Sequence, residues 1–164
     1  PSYSFWIYKT RKFLINQLSA LEKSSEIRSP KFVFAHFICP HGPYVFDKDG
    51  NYPKRNFLNG DLVISEKQAY VEQLIFINKK IDEIINHILK YSERKPIIIL
   101  QSDHGVATNE KKKKTEGSYG ILNAIYLPDI KQEEVLYKTI SSVNTFRVIF
   151  NAFFNTNFEL LKDI

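Results

Sequence analysis

The chain has 164 residues, 43% apolar and 25% charged, enough for one sizeable core and ordinary for a globular domain. Its net charge of +5 suits anionic substrates or a membrane surface, but no basic stripe is interleaved with aromatics, which excludes nucleic acid as a partner. A single cysteine, Cys39, excludes an intrachain disulfide, and no apolar run reaches the roughly 18 residues needed to span a bilayer.

The chain has no Met, even at its start, and reads as a piece of a longer protein. Its organisation reads as a single domain over 1–164, with an N-terminal helix and linker over 1–30 and a core over 31–164. Phe5, Ile7, Tyr8, Phe13, Leu14, Leu18 and Leu21 recur among polar residues at a spacing that predicts an amphipathic helix over 4–22. Residues 31–39, KFVFAHFIC, form an almost unbroken apolar run, expected as a strand buried on both faces and stopped by Pro40. From Pro40 to Asp61 the chain is rich in Pro, Gly, Asn and Asp and predicts a long loop, which in a compact domain marks a candidate site.

Ser65-Glu-Lys-Gln68 matches a capping box. Behind it Val71, Leu74, Ile77, Ile81, Ile84, Ile85 and Ile88 predict a helix to about Tyr91. Strands are expected near 96–102 and 121–127, separated by a polar stretch that carries Lys111–Lys114, a solvated run or an anchor for an anionic head group. Helices near 131–139 and 143–154 complete the chain, the last capped by Ser141 or Ser142. Buried strands separated by a long helix predict an α/β fold with a largely parallel central sheet and helices on both faces.

In such sheets ligands bind beyond the carboxyl ends of the strands. Two polar clusters stand at such ends, His36 with His41-Gly42-Pro43-Tyr44 and Ser102-Asp103-His104-Gly105. Were the strands neighbours, both clusters would face one crevice. Asp103 and His104 offer a carboxylate oxygen and an imidazole nitrogen together, and Gly105 lets the chain turn so that both reach one ion. The alternative is that Asp103 caps the turn while His104 points to solvent. His41 could donate to an oxyanion, ligate a metal or fill the loop. His36 reads as a satisfied core histidine that could orient His41 or Tyr44, His87 as structural, and Asn123 as sheet-bonded or reaching the site.

Taken together, FAHFICPHGPY, IIILQSDHG and GILNAIYLPD, in this order, resemble the second half of a sulfatase-like domain of the alkaline-phosphatase superfamily. That superfamily includes arylsulfatases, phosphoethanolamine transferases and lipoteichoic acid synthases. YVEQLIFINKKIDEIINHIL and SSVNTFRVIFNAFFN are similar to the corresponding family segments. The resemblance implies an alkaline-phosphatase-like fold and a metal-dependent sulfuric- or phosphoric-ester hydrolase or phospho-group transferase. Asp103 and His104 match the late metal ligands, and His41 the substrate-binding, catalytic histidine, with His36 beside it. An Asp-His pair implies zinc or manganese, with calcium or magnesium as alternatives. The resemblance further implies a sulfate or phosphate ester as substrate, lipid- or glycan-linked in a membrane-anchored, extracytoplasmic parent.

The family's nucleophile and early metal ligand have no counterpart here and are expected in a missing N-terminal part of the same domain. Cys39 is no disguised nucleophile: formylglycine maturation needs Pro two residues on and Arg four on, where this chain has His41 and Pro43. A degenerate, non-catalytic relative used for binding or assembly is the competing reading.

Overall fold

The structure is a computed structural model that describes residues 3–55, 61–105 and 120–163. The chain forms two compact units, Pro1–Arg94 and Lys95–Ile164.

The first unit is built on two helices, α1 (Tyr3–Lys23) and α2 (Glu66–Tyr91). The start of α2 follows from the sequence. Ser65 caps it, its hydroxyl accepting from the Gln68 backbone N–H at 3.2 Å. Only half of the capping box forms, because the Gln68 side chain donates to Glu72 one turn on rather than reaching back. The apolar stripes of the helices meet, Ile7, Leu14 and Leu18 against Phe76, Ile77 and Ile84, with Cys39, Val45 and Phe46 of the connecting chain in the same core. His87 serves this packing as expected, lying 3.8 Å from Glu22 of α1 with its ring tilted against that of Tyr91.

Residues 31–38 depart from expectation. They form no strand, and Phe32 and Phe34 are about four-fifths exposed, at 79% and 82%. A strand exists only through ladder hydrogen bonds to a neighbour. Among the described residues, no backbone ladder forms along 31–37. His36 is therefore exposed rather than a core histidine, and its backbone carbonyl, accepting from Gln17 of α1 at 3.0 Å, is what holds it.

The second unit pairs β1 (Ile98–Gln101) with β2 (Asn123–Tyr126), Ile99 opposite Ile125 and Gln101 opposite Asn123. Both strands are shorter than the apolar runs that predict them. Pro96 has no N–H for a ladder, and Leu122 donates to the Ser102 hydroxyl instead of a backbone carbonyl. The pair is antiparallel and joins consecutive strands, so the largely parallel sheet expected is not found among the described residues.

Helices α3 (Gln132–Val135) and α4 (Ser142–Phe153) follow; α3 is one turn, shorter than predicted, and ends where Leu136 turns extended. Leu127, Val148 and Ile149 form the core of this unit, with Ile97, Ile99, Ile125 and Leu136 against it. Ser141 precedes α4 as its cap residue, but its hydroxyl donates to Asp163 rather than capping the helix. Lys111–Lys114 and residues 56–60 of the long loop lie outside the described residues.

Candidate functional site

The two polar clusters fall in different units, and each has its own local construction.

In the second unit, Ser102 extends the strand pair by one step. Its N–H donates to the Leu122 carbonyl at 3.0 Å, and its hydroxyl accepts from Leu122 at 2.9 Å. The chain is thus tied down immediately before Asp103. Asp103 Oδ1 then accepts from the His104 N–H at 3.0 Å, a local carboxylate-to-backbone bond that sets the turn. The His104 ring is oriented through Nδ1, which lies 2.7 Å from the Gly105 carbonyl oxygen. A carbonyl can only accept, so Nδ1 carries the proton and Nε2 of the neutral ring presents its lone pair. That nitrogen lies 3.7 Å from Asp103 Oδ2, and both side chains are open to solvent, at 62% and 83% exposed.

This arrangement fits two ligands of one divalent ion. Two donors on a tetrahedral ion, each about 2.0–2.1 Å away, stand roughly 3.4 Å apart. The second ring nitrogen of a ligating histidine ordinarily donates to a carbonyl or carboxylate, as Nδ1 does here. Among the described residues no group of three or more His, Cys, Asp and Glu side chains gathers, so the pair is the whole donor set there. Asn123 takes the sheet-bonded alternative, its Oδ1 accepting from Gln101 at 3.4 Å.

In the first unit, His41 repeats the same device. Its Nδ1 lies 2.8 Å from the carbonyl of the following Gly42, which leaves Nε2 facing outward from an exposed ring. The loop that carries it is built from both helices. Arg11 of α1 donates to the carbonyls of Val45 at 2.9 Å and Gly50 at 2.6 Å, its guanidinium lying between the rings of Phe46 and Tyr52. Arg55 donates to the Tyr44 carbonyl at 2.8 Å. Gly50 has φ +84°, and a Cβ there would stand 2.5 Å from the Phe76 ring.

Gln73 of α2 is the residue that sequence reasoning missed. It is wholly buried, and its carboxamide bonds the backbone on both sides of the His41 turn. The available signal was its position: it lies four residues after Ala69 and three or four before Phe76 and Ile77, a polar residue inside the buried stripe.

Cys39 is buried, and burial pushes its thiol up to about 12, which removes any thiolate nucleophile at neutral pH. Burial, with Glu66 and Tyr70 nearby, raises the Tyr44 hydroxyl above its ordinary range, so it stays protonated.

A family model described as Sulfatase matches residues 1–155. The chain therefore belongs to the sulfatase family, whose members act on sulfate esters and generally use a divalent metal. Membership implies the alkaline-phosphatase-like α/β fold. No curated protein and no solved structure matches the chain.

Proposed function

We propose that the chain supplies the late metal ligands and the anion-binding histidine of a sulfatase-type catalytic domain acting on sulfuric or phosphoric esters. The observation that carries this reading is the pair just beyond β1, with His104 Nε2 3.7 Å from Asp103 Oδ2 and Nδ1 2.7 Å from the Gly105 carbonyl. Asp103 and His104 hold the ion, zinc or manganese by the chemistry of one oxygen and one nitrogen donor. When bound, it supplies Lewis acidity toward the oxygens of the ester and a hydroxyl nucleophile.

The other roles belong to the first unit. With Nδ1–H committed to Gly42, His41 meets the transferred group through Nε2, donating to an oxygen when protonated. His36, also exposed and five residues earlier in the chain, adds a second imidazole to the substrate side. The family match runs through both units, which supports reading 1–164 as part of one catalytic domain. No Ser, Thr or Cys of the chain matches the family's nucleophile, and we assign that group to a segment outside these residues. The net charge of +5 suits an anionic ester, lipid- or glycan-linked if the parent is a membrane-anchored enzyme.

Calorimetric titration of inorganic sulfate and phosphate into the zinc-loaded chain tests this assignment. Binding should require zinc, vanish in His104→Ala and weaken roughly tenfold in His41→Ala. Anion binding that is independent of zinc and survives both substitutions would remove the reading.

A further inference from the structure

A buried primary carboxamide has four hydrogen-bonding capacities, two on oxygen and two on nitrogen. Gln73 uses all four on one seven-residue stretch of backbone. Its Oε1 accepts from the N–H groups of Val45 at 2.8 Å and Phe46 at 3.2 Å. Its Nε2 donates to the carbonyls of Pro40 at 3.1 Å and His41 at 3.2 Å. The opposite amide orientation would set NH2 against two N–H groups and oxygen against two carbonyls, so the network determines which way the group points.

The placement is costly unless complete. Gln73 lies in the stripe of α2 that otherwise buries Ala69, Phe76, Ile77 and Ile84. An apolar side chain would fill that space without a polar group to desolvate, and half-satisfied buried amides are worse than none. What the carboxamide adds is direction. It draws the Pro40 and His41 carbonyls inward while the His41 ring stays exposed, and the turn is closed by the His41 N–H donating to the Ile38 carbonyl at 2.9 Å. It also bonds the chain on the far side of the turn, so both ends of the histidine loop are tied to α2.

We propose that Gln73 is a positioning residue for His41, its carboxamide holding the backbone at Pro40, His41, Val45 and Phe46 so that Nε2 of the imidazole meets the anionic oxygens of the substrate. This rests on the role given to His41 above. It predicts that the orientation of His41 depends on the nitrogen end of Gln73 separately from the stability of the unit.

Gln73→Glu separates the two. It keeps the acceptor for Val45 and Phe46 but leaves at most one donor, the O–H of the buried neutral acid, for the two carbonyls, which loosens the His41 side. Ile84→Val, in the same core but outside the loop's hydrogen bonds, serves as a comparison that perturbs packing alone. In the zinc-loaded chain, the side-chain ¹⁵N resonances of His41 report its tautomer, and their change on titration with inorganic phosphate or sulfate reports anion affinity. In Gln73→Glu the His41 ring should lose its Nδ1 contact with the Gly42 carbonyl, and affinity should fall roughly tenfold, as small misplacements of a contact group do. In Ile84→Val both should match the wild type. A Gln73→Glu protein with lower thermal stability but an unchanged His41 tautomer and affinity would overturn the proposal.

Should Gln73→Glu fail to fold, the wild type decides. Its Gln73 side-chain amide resonances should shift with the same midpoint as His41 on anion titration, and would overturn the proposal by staying fixed. If wild-type His41 ignores both anions, the substrate role of His41 fails. The tautomer comparison then still shows whether Gln73 orients the ring.

Discussion

Asn144, at the first turn of α4, and Asp163, near the end of the chain, are joined by a hydrogen bond of 3.1 Å from the carboxamide nitrogen to Oδ1. Asn144 is wholly buried and also bonds both backbone groups of Leu161, while Asn151, two turns on, holds the backbone of Phe158. Donors from Tyr137, Ser141 and Asn144 converge on Asp163 and hold its carboxyl at about 2.

Acid should release this clasp. The folded value lies below the ordinary aspartate value of about 3.9, so the carboxylate's contribution is fully present above roughly pH 4. It is lost as pH falls from there through about 2. Protection of the Ser141 and Leu161 amides, measured against their intrinsic exchange at each pH, should therefore fall over that interval, and Asp163→Ala should show the lowered protection already at neutral pH.

Gly50→Ala should destabilise the first unit by about 1–3 kcal/mol, because the residue has a positive φ and its new methyl would strike Phe76. Urea denaturation followed by circular dichroism checks this. An unchanged midpoint would mean that the Asp47–Asn51 turn is not docked on α2.

Cys39 should resist alkylation in the native chain and react at once on unfolding, since its thiol is buried and pushed up to about 12. Labelling with iodoacetamide at neutral pH with and without denaturant measures it.

If, as proposed, the nucleophile lies outside these residues, the chain alone should turn over neither aryl sulfates nor aryl phosphates above background, because loss of a nucleophile costs many powers of ten in rate. Metal-dependent turnover abolished by His41→Ala would place the nucleophile within these residues.

Legibility in the sequence followed the range of the interactions. Ser65 and the periodic apolar positions behind it specify α2 through contacts within a few residues, and its limits are as expected. Asp103-His104 at the end of an apolar run is likewise local, and stands just beyond β1. The run 31–39 misled because apolar β-preferring residues announce burial in a sheet but do not name the strand to pair with. Gln73 and Asn144 escaped notice because their work is tertiary: each bonds backbone 17 to 33 residues away, and a polar side chain within a helix looks solvated until that partner is seen.

The assignment of Asp103 and His104 as metal ligands is tested most directly by zinc K-edge X-ray absorption on the chain loaded with one equivalent of zinc. The first shell should contain only nitrogen and oxygen at about 2.0–2.1 Å, with the multiple scattering of imidazole that disappears in His104→Ala. A sulfur shell near 2.3 Å, or imidazole scattering that persists unchanged in His104→Ala, would contradict it.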